Sequence, residues 1–365
     1  MTTFRPADPG ELLAWDDLTV HLGGGNIFQS RAWAEHRRRT GWRPAFVVGD
    51  DGSAVLALER PWPLLRSGSW YLPRGPIPAG AVPAMAARLG GITDHLAGRG
   101  ADVVATDAEI PAGIGYESAL VELGFSSIEE IQPSRHRMRL PLGHAADESG
   151  VFGGIAKATR QRIARAERDG VTVVRHDRRA LDVDPGAGFV GPAEPLEVAL
   201  GRFFDLLVET GERRQFVLGP RAAFLEWWKA AHEAGLIVHL EARDRAGTPL
   251  AGLLLYRHGG RLSTAYSADH AASRRDHPGM FHLLRWRAIQ LAIREGCAEM
   301  DLGGADVRGV RHEPRPGDPM YGLYEHKRSF GAEWVEQVGA HERILHPRRY
   351  AAGRVLLGIG RRVTQ

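Results

Sequence analysis

The segment VHLEARDRAGTPLAGLLLY, residues 238–256, is typical of a β-hairpin. Two runs of apolar and β-branched residues flank the turn sequence Asp-Arg-Ala-Gly, whose polar residues and glycine favour a tight reversal of the chain. A third predicted strand, residues 261–267, follows Gly259 and Gly260. The sequence therefore predicts three consecutive antiparallel strands in this part of the chain.

The same pattern occurs earlier, in AFVVGDDGSAVLALE (residues 45–59). Each hairpin is followed by a helical pattern and then by a short run that ends in aspartate, at residues 81–97 and 100–107 in the first half and at 280–294 and 296–301 in the second. This repeated order indicates duplication into two α+β units. It is the order of the Gcn5-related acyltransferase (GNAT) fold, so we expect two tandem GNAT-like domains with mixed β-sheets flanked by helices.

The length and composition of the chain are those of a two-domain globular protein. Its 365 residues exceed the usual size of one domain, and its contents of 43% hydrophobic and 25% charged residues are close to the averages for soluble proteins. We expect a first domain at residues 1–143 and a second at 144–337. A C-terminal segment, residues 338–365, is expected to pack back on the first domain.

Cysteine usage and hydropathy point to the cytoplasm. Cys297 is the only cysteine, which excludes an internal disulfide and a cysteine-rich zinc site. The first ten residues do not have the pattern of a signal peptide, and no run approaches the ~20 apolar residues that span a bilayer. The net charge of +3 is compatible with a phosphate-bearing partner, although arginine richness also arises from a GC-rich genome.

Common catalytic motifs are absent from the sequence. There is no Gly-x-Ser-x-Gly elbow and no phosphate loop, and the sixteen histidines are scattered, so neither a hydrolase triad nor a metal site is expected. An acyl-coenzyme A enzyme needs a glycine-rich turn whose N–H groups hold the pyrophosphate. The corresponding segment, RRDHPGM at residues 274–280, has one glycine, and Pro278 removes one N–H donor. We therefore expect no cofactor.

Four dispersed motifs resemble those of the peptidoglycan interpeptide-bridge aminoacyltransferases, the Fem ligases or FemABX family. NIFQSRAWAE (26–35) resembles a Phe-Gln-Ser-x-x-Trp signature, and KATRQRIARAERDGVTV (157–173) resembles a basic helix running into a Gly-Val-x-Val strand. MDLGG (300–304) and YEHKRSFG (324–331) resemble a Tyr-Asp-Leu-Gly-Gly turn and a Phe-Lys-x-x-Phe-Gly segment. Each motif is weak alone, but four in this order are specific. No ~50-residue charged helical hairpin is present, which indicates the armless, FemX-like type.

The resemblance implies amide formation between an amino acid carried on aminoacyl-tRNA and an amine of a peptidoglycan precursor, either UDP-MurNAc-pentapeptide or lipid II. The ester to the tRNA is already activated, so no ATP is required. The protein is expected to act as a monomer. Two alternatives remain open: the same transfer onto a specialised metabolite, and an acyl-coenzyme A N-acyltransferase or a non-catalytic binding protein descended from one.

The resemblance also implies catalytic residues. Lys327 occupies the family's lysine position and is expected to stabilise the tRNA acceptor end and the transition state, and a surface lysine without a role is the alternative. His326, beside it, replaces the family's phenylalanine and is expected to contact the tRNA. Asp107, at the end of the first-half strand, is a candidate proton acceptor, and structural pairing is an equal alternative.

Five further residues fall at positions that the family uses to hold the precursor. Tyr266 matches a tyrosine that binds the nucleotide-linked precursor, and Arg37 or Arg38 lies near a basic residue that contacts the diphosphate, a role that suits a guanidinium. Arg221 and Phe224 lie where the family has an arginine and a tyrosine, although the spacing is shorter.

Two basic segments have both a functional and a structural interpretation. The helix predicted over residues 153–170 carries Lys157, Arg160, Arg162 and Arg165, which either contact tRNA phosphates or form a solvated basic face. Residues 346–362 have basic ends around an apolar centre. They either pack against the first domain, the favoured interpretation, or rest on the inner membrane surface where a lipid-linked precursor resides.

Overall fold

The computed structural model describes residues 2–132, 135–143, 146–181, 188–214, 216, 218–305 and 312–363. The chain divides into two compact units, Met1–Arg135 with Glu336–Gln365 and His136–Val335. The first boundary lies before His136 rather than after Gly143, because the strand His136–Pro141 is hydrogen-bonded into the sheet of the second unit.

The first unit is a seven-stranded mixed sheet with flanking helices. Its strands, in the order β1-β2-β3-β4-β5-β15-β6, are β1 (Phe4–Pro6), β2 (Arg43–Gly49), β3 (Ala54–Pro61), β4 (Gly68–Leu72), β5 (Ala101–Thr106), β15 (His341–Ile344) and β6 (Ser126–Ser127). Its helices are α1 (Pro9–Leu13), α2 (Arg31–Arg39), α3 (Val82–Gly98), α4 (Tyr116–Glu122) and α12 (Pro347–Val363). The predicted hairpin forms strands β2 and β3, and α3 then crosses to β5, which runs parallel to β4.

The second unit is an eight-stranded mixed sheet. Its strands, in the order β14-β7-β13-β12-β11-β10-β8-β9, are β14 (Glu333–Glu336), β7 (His136–Pro141), β13 (Glu299–Asp301), β12 (Arg261–Asp269), β11 (Pro249–His258), β10 (Ile237–Arg243), β8 (Thr172–Asp177) and β9 (Phe189–Val190). Its helices are α5 (Glu148–Gly154), α6 (Lys157–Arg168), α7 (Leu196–Arg214), α8 (Arg221–Glu233), α9 (Ser273–Asp276), α10 (Met280–Arg294) and α11 (Tyr321–Arg328). Short 3₁₀ segments occur at Ile27–Gln29 and Arg178–Leu181, and a π-helical turn at Asp17–His21.

The predicted α+β class with two mixed sheets is confirmed, and so is the meander of the second unit. Strands β10, β11 and β12 pair antiparallel in sequence order, and α10 begins and ends at the predicted residues. In the described part of the chain the longest helix has 19 residues, so these residues hold no helical arm of ~50 residues.

The second sheet opens between β12 and β13. The two strands run parallel but pair only from Arg261 to Ser263, after which β13 ends and β12 continues to Asp269. On its other side β12 carries a β-bulge, because Tyr266 pairs with Leu254 and Thr264 with Leu255, which leaves Ala265 as an extra residue. A bulge bends the strand and re-aims its side chains. The sheet therefore offers a gap lined by the second half of β12.

The basic helix predicted over residues 153–170 is two helices. The helix α5 ends at Gly154, Ile155 is buried in an extended conformation, and α6 then begins at Lys157. The backbone N–H of Ala156 donates to the carbonyl of Ser329, which fixes the break. The predicted end of the helix is correct, since Gly170 follows it with a φ of +80°.

The C-terminal segment belongs to the first unit. Strand β15 pairs with β5, and α12 lies so close to Trp62 that a Cβ on Gly353 would come within 2.3 Å of its ring. Both the Trp62 indole and the Arg349 guanidinium donate to the buried Asp102 carboxylate, at 2.9 and 2.7 Å. The described residues contain no helix with the length and apolar character needed to cross a membrane.

Two stacked histidines lie in the core of the second unit, on adjacent strands. The rings of His176 (β8) and His239 (β10) are 5.6 Å apart, and the Nε2 atoms of both have no hydrogen-bond partner among the described residues. Burial lowers the pKa of His239 to about 3 and that of His176 to about 4. The folded chain therefore keeps both rings neutral while the unfolded chain protonates them below their ordinary pKa near 6.5.

We predict that the protein loses stability as the pH falls from 6.5 towards 5. Protons bind only the unfolded chain in this window, and His239 alone accounts for about 2 kcal/mol of the loss at pH 5. Denaturant titrations at pH 7 and pH 5 measure the change in the free energy of unfolding. The substitution His239→Asn, which retains a donor for the Leu253 carbonyl, should reduce that change. An identical change in wild type and variant would contradict the assignment.

Candidate functional site

Lys327 is buried near the point where β13 ends and the second sheet opens. Only 4% of the residue is exposed, and its Nζ donates to the carbonyl oxygens of Gly303 and Gly304 at 2.8 and 2.5 Å. Gly303 has a φ of +79°, and a Cβ there would lie 3.0 Å from the carbonyl of Thr264. Only glycine combines this conformation with so close an approach. Helix α11 thus uses Lys327 to hold the loop that follows β13 beside β12, and the alternative of a surface lysine is wrong.

A group of basic side chains adjoins Lys327. The Nε of Arg285, on α10, lies 3.3 Å from His326 Nε2, and the ring of His282 meets that of His326 edge to face at 4.8 Å. Burial, with Arg285, His282 and Lys327 nearby, holds the pKa of His326 well below its ordinary value. Burial also lowers the pKa of His282 to about 4. Both imidazoles are therefore neutral at physiological pH, while the Arg285 guanidinium, whose pKa burial lowers to about 10, remains charged.

The basic helix α6 leads to this group. Its exposed face borders an open groove of about 960 Å³ lined by Arg162, Arg165, Arg168 and Pro278, among others. Arg162 Nη1 lies 3.3 Å from His282 Nε2, so one residue of the groove contacts the group around Lys327. Of the other predicted tRNA contacts, Lys157 is exposed, Arg160 bonds to the Gly153 carbonyl and Arg165 is 3.6 Å from Asp169.

Helix α6 also lies against the N-terminus of α10, where an acyl-coenzyme A enzyme would bind pyrophosphate. A Cβ on Gly279, which immediately precedes α10, would lie 2.1 Å from the carbonyl oxygen of Arg162. Since a helix N-terminus binds phosphate through its free N–H groups, a backbone carbonyl packed at this point disfavours a coenzyme there. This packing agrees with the sequence of residues 274–280, which lacks the glycine-rich turn of acyl-coenzyme A enzymes.

Tyr266 lies in an aromatic cluster on the second half of β12. Its ring meets Phe224 and Trp228 edge to face at 5.6 and 5.7 Å, and burial raises its pKa. Arg221, at the start of α8, stacks over Phe204, which in turn contacts Phe224. Its Nε lies 3.3 Å from Asp205. The structure thus brings Tyr266 and Phe224 into contact and places Arg221 at the edge of the same cluster.

In the first unit the two adjacent arginines of α2 differ in environment. The Arg37 guanidinium lies over the rings of Trp33 and Trp42, at 5.4 and 5.0 Å, and burial lowers its pKa. None of the described carboxylates lies within ion-pair distance of it. Arg38 is exposed and forms an ion pair with Glu35. Arg37 is therefore the one of the two whose charge no described carboxylate compensates.

Asp107 is fully buried and engaged within the first unit. Its carboxylate accepts from the Tyr71 hydroxyl at 2.8 Å and from the backbone N–H of Arg74 at 2.6 Å, and the Arg74 guanidinium lies 3.8 Å away. Burial raises the pKa of Asp107, and Arg74 opposes that shift. Because Arg74 has a φ of +50°, the carboxylate holds a strained turn, which favours the structural interpretation of Asp107.

Sequence reasoning missed Arg285 and His282. Both lie on α10, whose inward residues were recognised by their helical spacing, among them Leu283, Leu284 and Ala288. An arginine in the middle of an apolar helix face is a signal that could have identified Arg285, because buried charges are rare without a partner. No comparable signal identifies His282.

Comparisons with known proteins agree with this geometry. Residues 156–328 match a family model described as an acetyltransferase (GNAT) domain. The chain is 23% identical to a lipid II:glycine glycyltransferase of Staphylococcus aureus, over 89% of this chain and 90% of that protein.

Solved structures show the same fold. The crystal structure of FemX has a TM-score of 0.74 at 19% identity, over 96% of this chain and 99% of that one. The structure of L-PGS from Bacillus licheniformis has a TM-score of 0.50 at 14% identity, with 97% of each chain covered. The tandem GNAT-like fold, predicted from the repeated order of elements, and the resemblance to the Fem ligases, predicted from four motifs, are confirmed.

We predict that acetyl-coenzyme A does not bind saturably, because the Arg162 carbonyl lies against the pyrophosphate position at Gly279. Isothermal titration calorimetry up to millimolar ligand, with an acetyl-coenzyme A-dependent acetyltransferase as positive control, measures this. Stoichiometric heat that saturates would contradict the prediction and favour an acyl-coenzyme A enzyme.

Proposed function

From this homology with the Fem ligases, we propose that the chain is a tRNA-dependent aminoacyltransferase that acts on an amine of a peptidoglycan precursor. The observation that carries the proposal is the contact between the groove on α6 and the group around Lys327, which Arg162 makes with His282. A partner that presents phosphates along one surface and a reactive ester at its end fits this arrangement. The relative named lipid II:glycine glycyltransferase supports the cell-wall acceptor.

Amide formation at this site requires little covalent chemistry from the protein itself. The acceptor amine attacks the ester carbon, the N–C bond forms as the C–O bond breaks, and one amine proton passes to the 3′-oxygen, which leaves as the tRNA hydroxyl. Negative charge develops on the ester oxygens during this step. The fixed ammonium of Lys327, buried where water screens it little, stabilises that charge.

The groove on α6 supports binding of the tRNA. Arg162, Arg165 and Arg168 line it, and guanidinium groups are well suited to phosphate oxygens. In this proposal, the phosphates near the 3′ end follow the groove past Arg162, and the terminal nucleotide reaches His326 and Lys327. Affinity should then fall steeply with salt, as expected for a contact made to several phosphates.

Residues proposed to bind the precursor occur in each unit and are considered separately. Tyr266 and Phe224 offer apolar rings and a hydroxyl to the stem peptide in the second unit. In the first unit, Arg37 offers its charge to the diphosphate that UDP-linked and lipid-linked precursors share. The two tryptophans hold the guanidinium in place, which lowers the entropy lost when it binds a ligand.

A lipid-linked acceptor also requires access to the cytoplasmic membrane face. The first unit exposes Leu64 (94%) on the turn after Trp62, and α12, which packs on Trp62 through Gly353, exposes Val355 (62%) with Arg348 and Arg354. Apolar side chains flanked by arginines are the composition of a surface that contacts anionic lipids. We propose peripheral contact through this surface as part of the function, alongside packing of α12 on the first unit.

The test of the function is transfer from total tRNA charged with radioactive amino acids to a UDP-linked or lipid-linked muropeptide. We expect label in the muropeptide only when the charged tRNA is intact, so prior ribonuclease treatment should abolish it. No transfer to any acceptor, together with saturable binding of acetyl-coenzyme A, would overturn the proposal.

We predict that Lys327→Ala slows transfer about a hundredfold, because one preorganised charge is removed from the transition state. The matched control is Lys229→Ala, which removes an exposed lysine of α8 that is paired with Glu197 of α7 and should leave transfer unchanged. Circular dichroism at rising temperature checks that both variants are folded. A folded Lys327→Ala enzyme with wild-type turnover would remove Lys327 from the mechanism.

Arg37 and Arg38 allow a second matched comparison. We predict that Arg37→Met raises the KM for the precursor about tenfold, which is one charge-assisted contact of roughly 1.4 kcal/mol, while Arg38→Met leaves it unchanged. Steady-state kinetics at saturating charged tRNA measure both values. Equal effects of the two substitutions would show that the aromatic environment of Arg37 does not matter.

A further inference from the structure

Helix α10 buries a charged guanidinium within the second unit. Arg285 is 0% exposed, although it follows Leu284 and precedes Trp286 in a helix that otherwise turns apolar residues inward. Burial lowers its pKa to about 10, so it still carries its charge at physiological pH. A buried arginine of this kind normally has a carboxylate partner.

The contacts of Arg285 do not neutralise it. Its Nε donates to His326 Nε2 at 3.3 Å, Nη1 lies 3.5 Å from Thr264 Oγ1, and the guanidinium stacks over Phe281. Its Nη2 has no hydrogen-bond partner among the described residues, none of whose carboxylates lies within 4.0 Å of the guanidinium. The charge of Asp301 is felt only at longer range.

Arg257, in the same unit, shows how this chain satisfies a buried arginine elsewhere. It is 5% exposed, and its guanidinium donates to the carboxylates of Asp177 and Glu295 at 2.9 and 2.6 Å. Those carboxylates raise its pKa, whereas that of Arg285 is lowered. The two arginines therefore differ in their partners. Arg257 is neutralised by two carboxylates, whereas the Nη2 of Arg285 has no hydrogen-bond partner among the described residues.

A buried charge without a partner lowers the stability of the folded chain. Residues that violate the rules of packing in this way are expected at functional sites. Arg285 contacts the residue next to Lys327, and its hydrogen bond has a definite chemical consequence. Because Nε2 of His326 accepts the proton of Arg285, the single proton of the neutral imidazole is on Nδ1.

We propose that Arg285 is a positioning residue of the transfer site, which orients His326 and fixes it as an Nδ1–H donor for the 3′ end of the charged tRNA. The proposal rests on the proposed function for the identity of that ligand. Arg285 itself is out of reach of substrate and acts through His326. The other groups that face His326 are His282, Lys327 and Arg162, all of which disfavour its protonation.

The experiment compares Arg285→Met with Arg257→Met in the full-length protein. Methionine has nearly the length of arginine without its charge. Three quantities are measured: the midpoint of thermal unfolding, the kcat/KM for charged tRNA with the KM for the muropeptide, and the tautomer of His326 by ¹⁵N NMR of the imidazole. The His326 signal is assigned by its loss in His326→Phe.

For Arg285→Met we expect an unchanged or higher unfolding midpoint and loss of the pure Nδ1–H tautomer. We also expect kcat/KM for charged tRNA to fall about tenfold or more, with the KM for the muropeptide unchanged. Arg257→Met should instead lower the midpoint by several degrees and leave the tautomer of His326 as it is, because it breaks a buried ion pair remote from that ring.

Two outcomes would overturn the proposal: a tautomer of His326 that is the same with and without Arg285, or unchanged kcat/KM for charged tRNA in Arg285→Met. If the unfolding midpoint and transfer both fall, the tautomer decides between a positioning and a merely structural role. If the wild-type protein transfers nothing, the proposed function fails, while the tautomer and the midpoint still decide whether Arg285 sets the state of His326.

Discussion

The ammonium of Lys327 binds two carbonyl oxygens of the loop that follows β13, and this contact fixes how the second sheet opens. Strands β12 and β13 pair over only three residues before β13 ends. Gly303 and Gly304 accept hydrogen bonds from Lys327 of α11, and on the other side Leu302 donates to, and Gly303 accepts from, the backbone of Met138 in β7. On the part of β12 that does not pair with β13, Thr264 Oγ1 lies 3.5 Å from Arg285 of α10, and Tyr266 follows two residues later. One lysine therefore links the backbone geometry of the sheet to the charge of the site.

Arginine side chains fall into two groups according to whether they have carboxylate partners. Arg257 and Arg349 donate to buried carboxylates, and the Arg202 side chain joins Glu194 and Glu241. Arg285 and Arg37 have no such partner among the described residues and lie against aromatic rings instead. Since an uncompensated guanidinium costs stability, we relate the charge of Arg37 to an anionic ligand and that of Arg285 to the orientation of His326. The same account explains why His326 and His282 remain neutral: the nearby cations and burial both oppose their protonation.

Local signals in the sequence predicted the repeated hairpins and helices. They did not predict the tertiary contacts that surround these elements. The Asp-Asp-Gly and Asp-Arg-Ala-Gly turns predicted both hairpins, and the apolar spacing of α10 predicted its limits, because those signals act within a few residues. The break at Ile155 depends on Ser329, far away in sequence, and the assignment of β7 to the second sheet depends on β13. Lys327 was identified by family resemblance alone. Its burial, the contact of Arg285 with His326 and the approach of α6 to Gly279 arise from tertiary contacts that leave no periodic pattern.

The central claim is that the groove on α6 and the group around Lys327 bind one continuous ligand, the acceptor end of a charged tRNA. The most direct measurement is a structure of the protein with an RNA minihelix that carries a stable 3′-amide-linked amino acid. The account predicts phosphates against Arg162 and Arg165 and the terminal adenosine within hydrogen-bonding distance of His326 and Lys327. An RNA bound on another surface, with the groove on α6 empty and Lys327 beyond reach of the 3′ end, would contradict it.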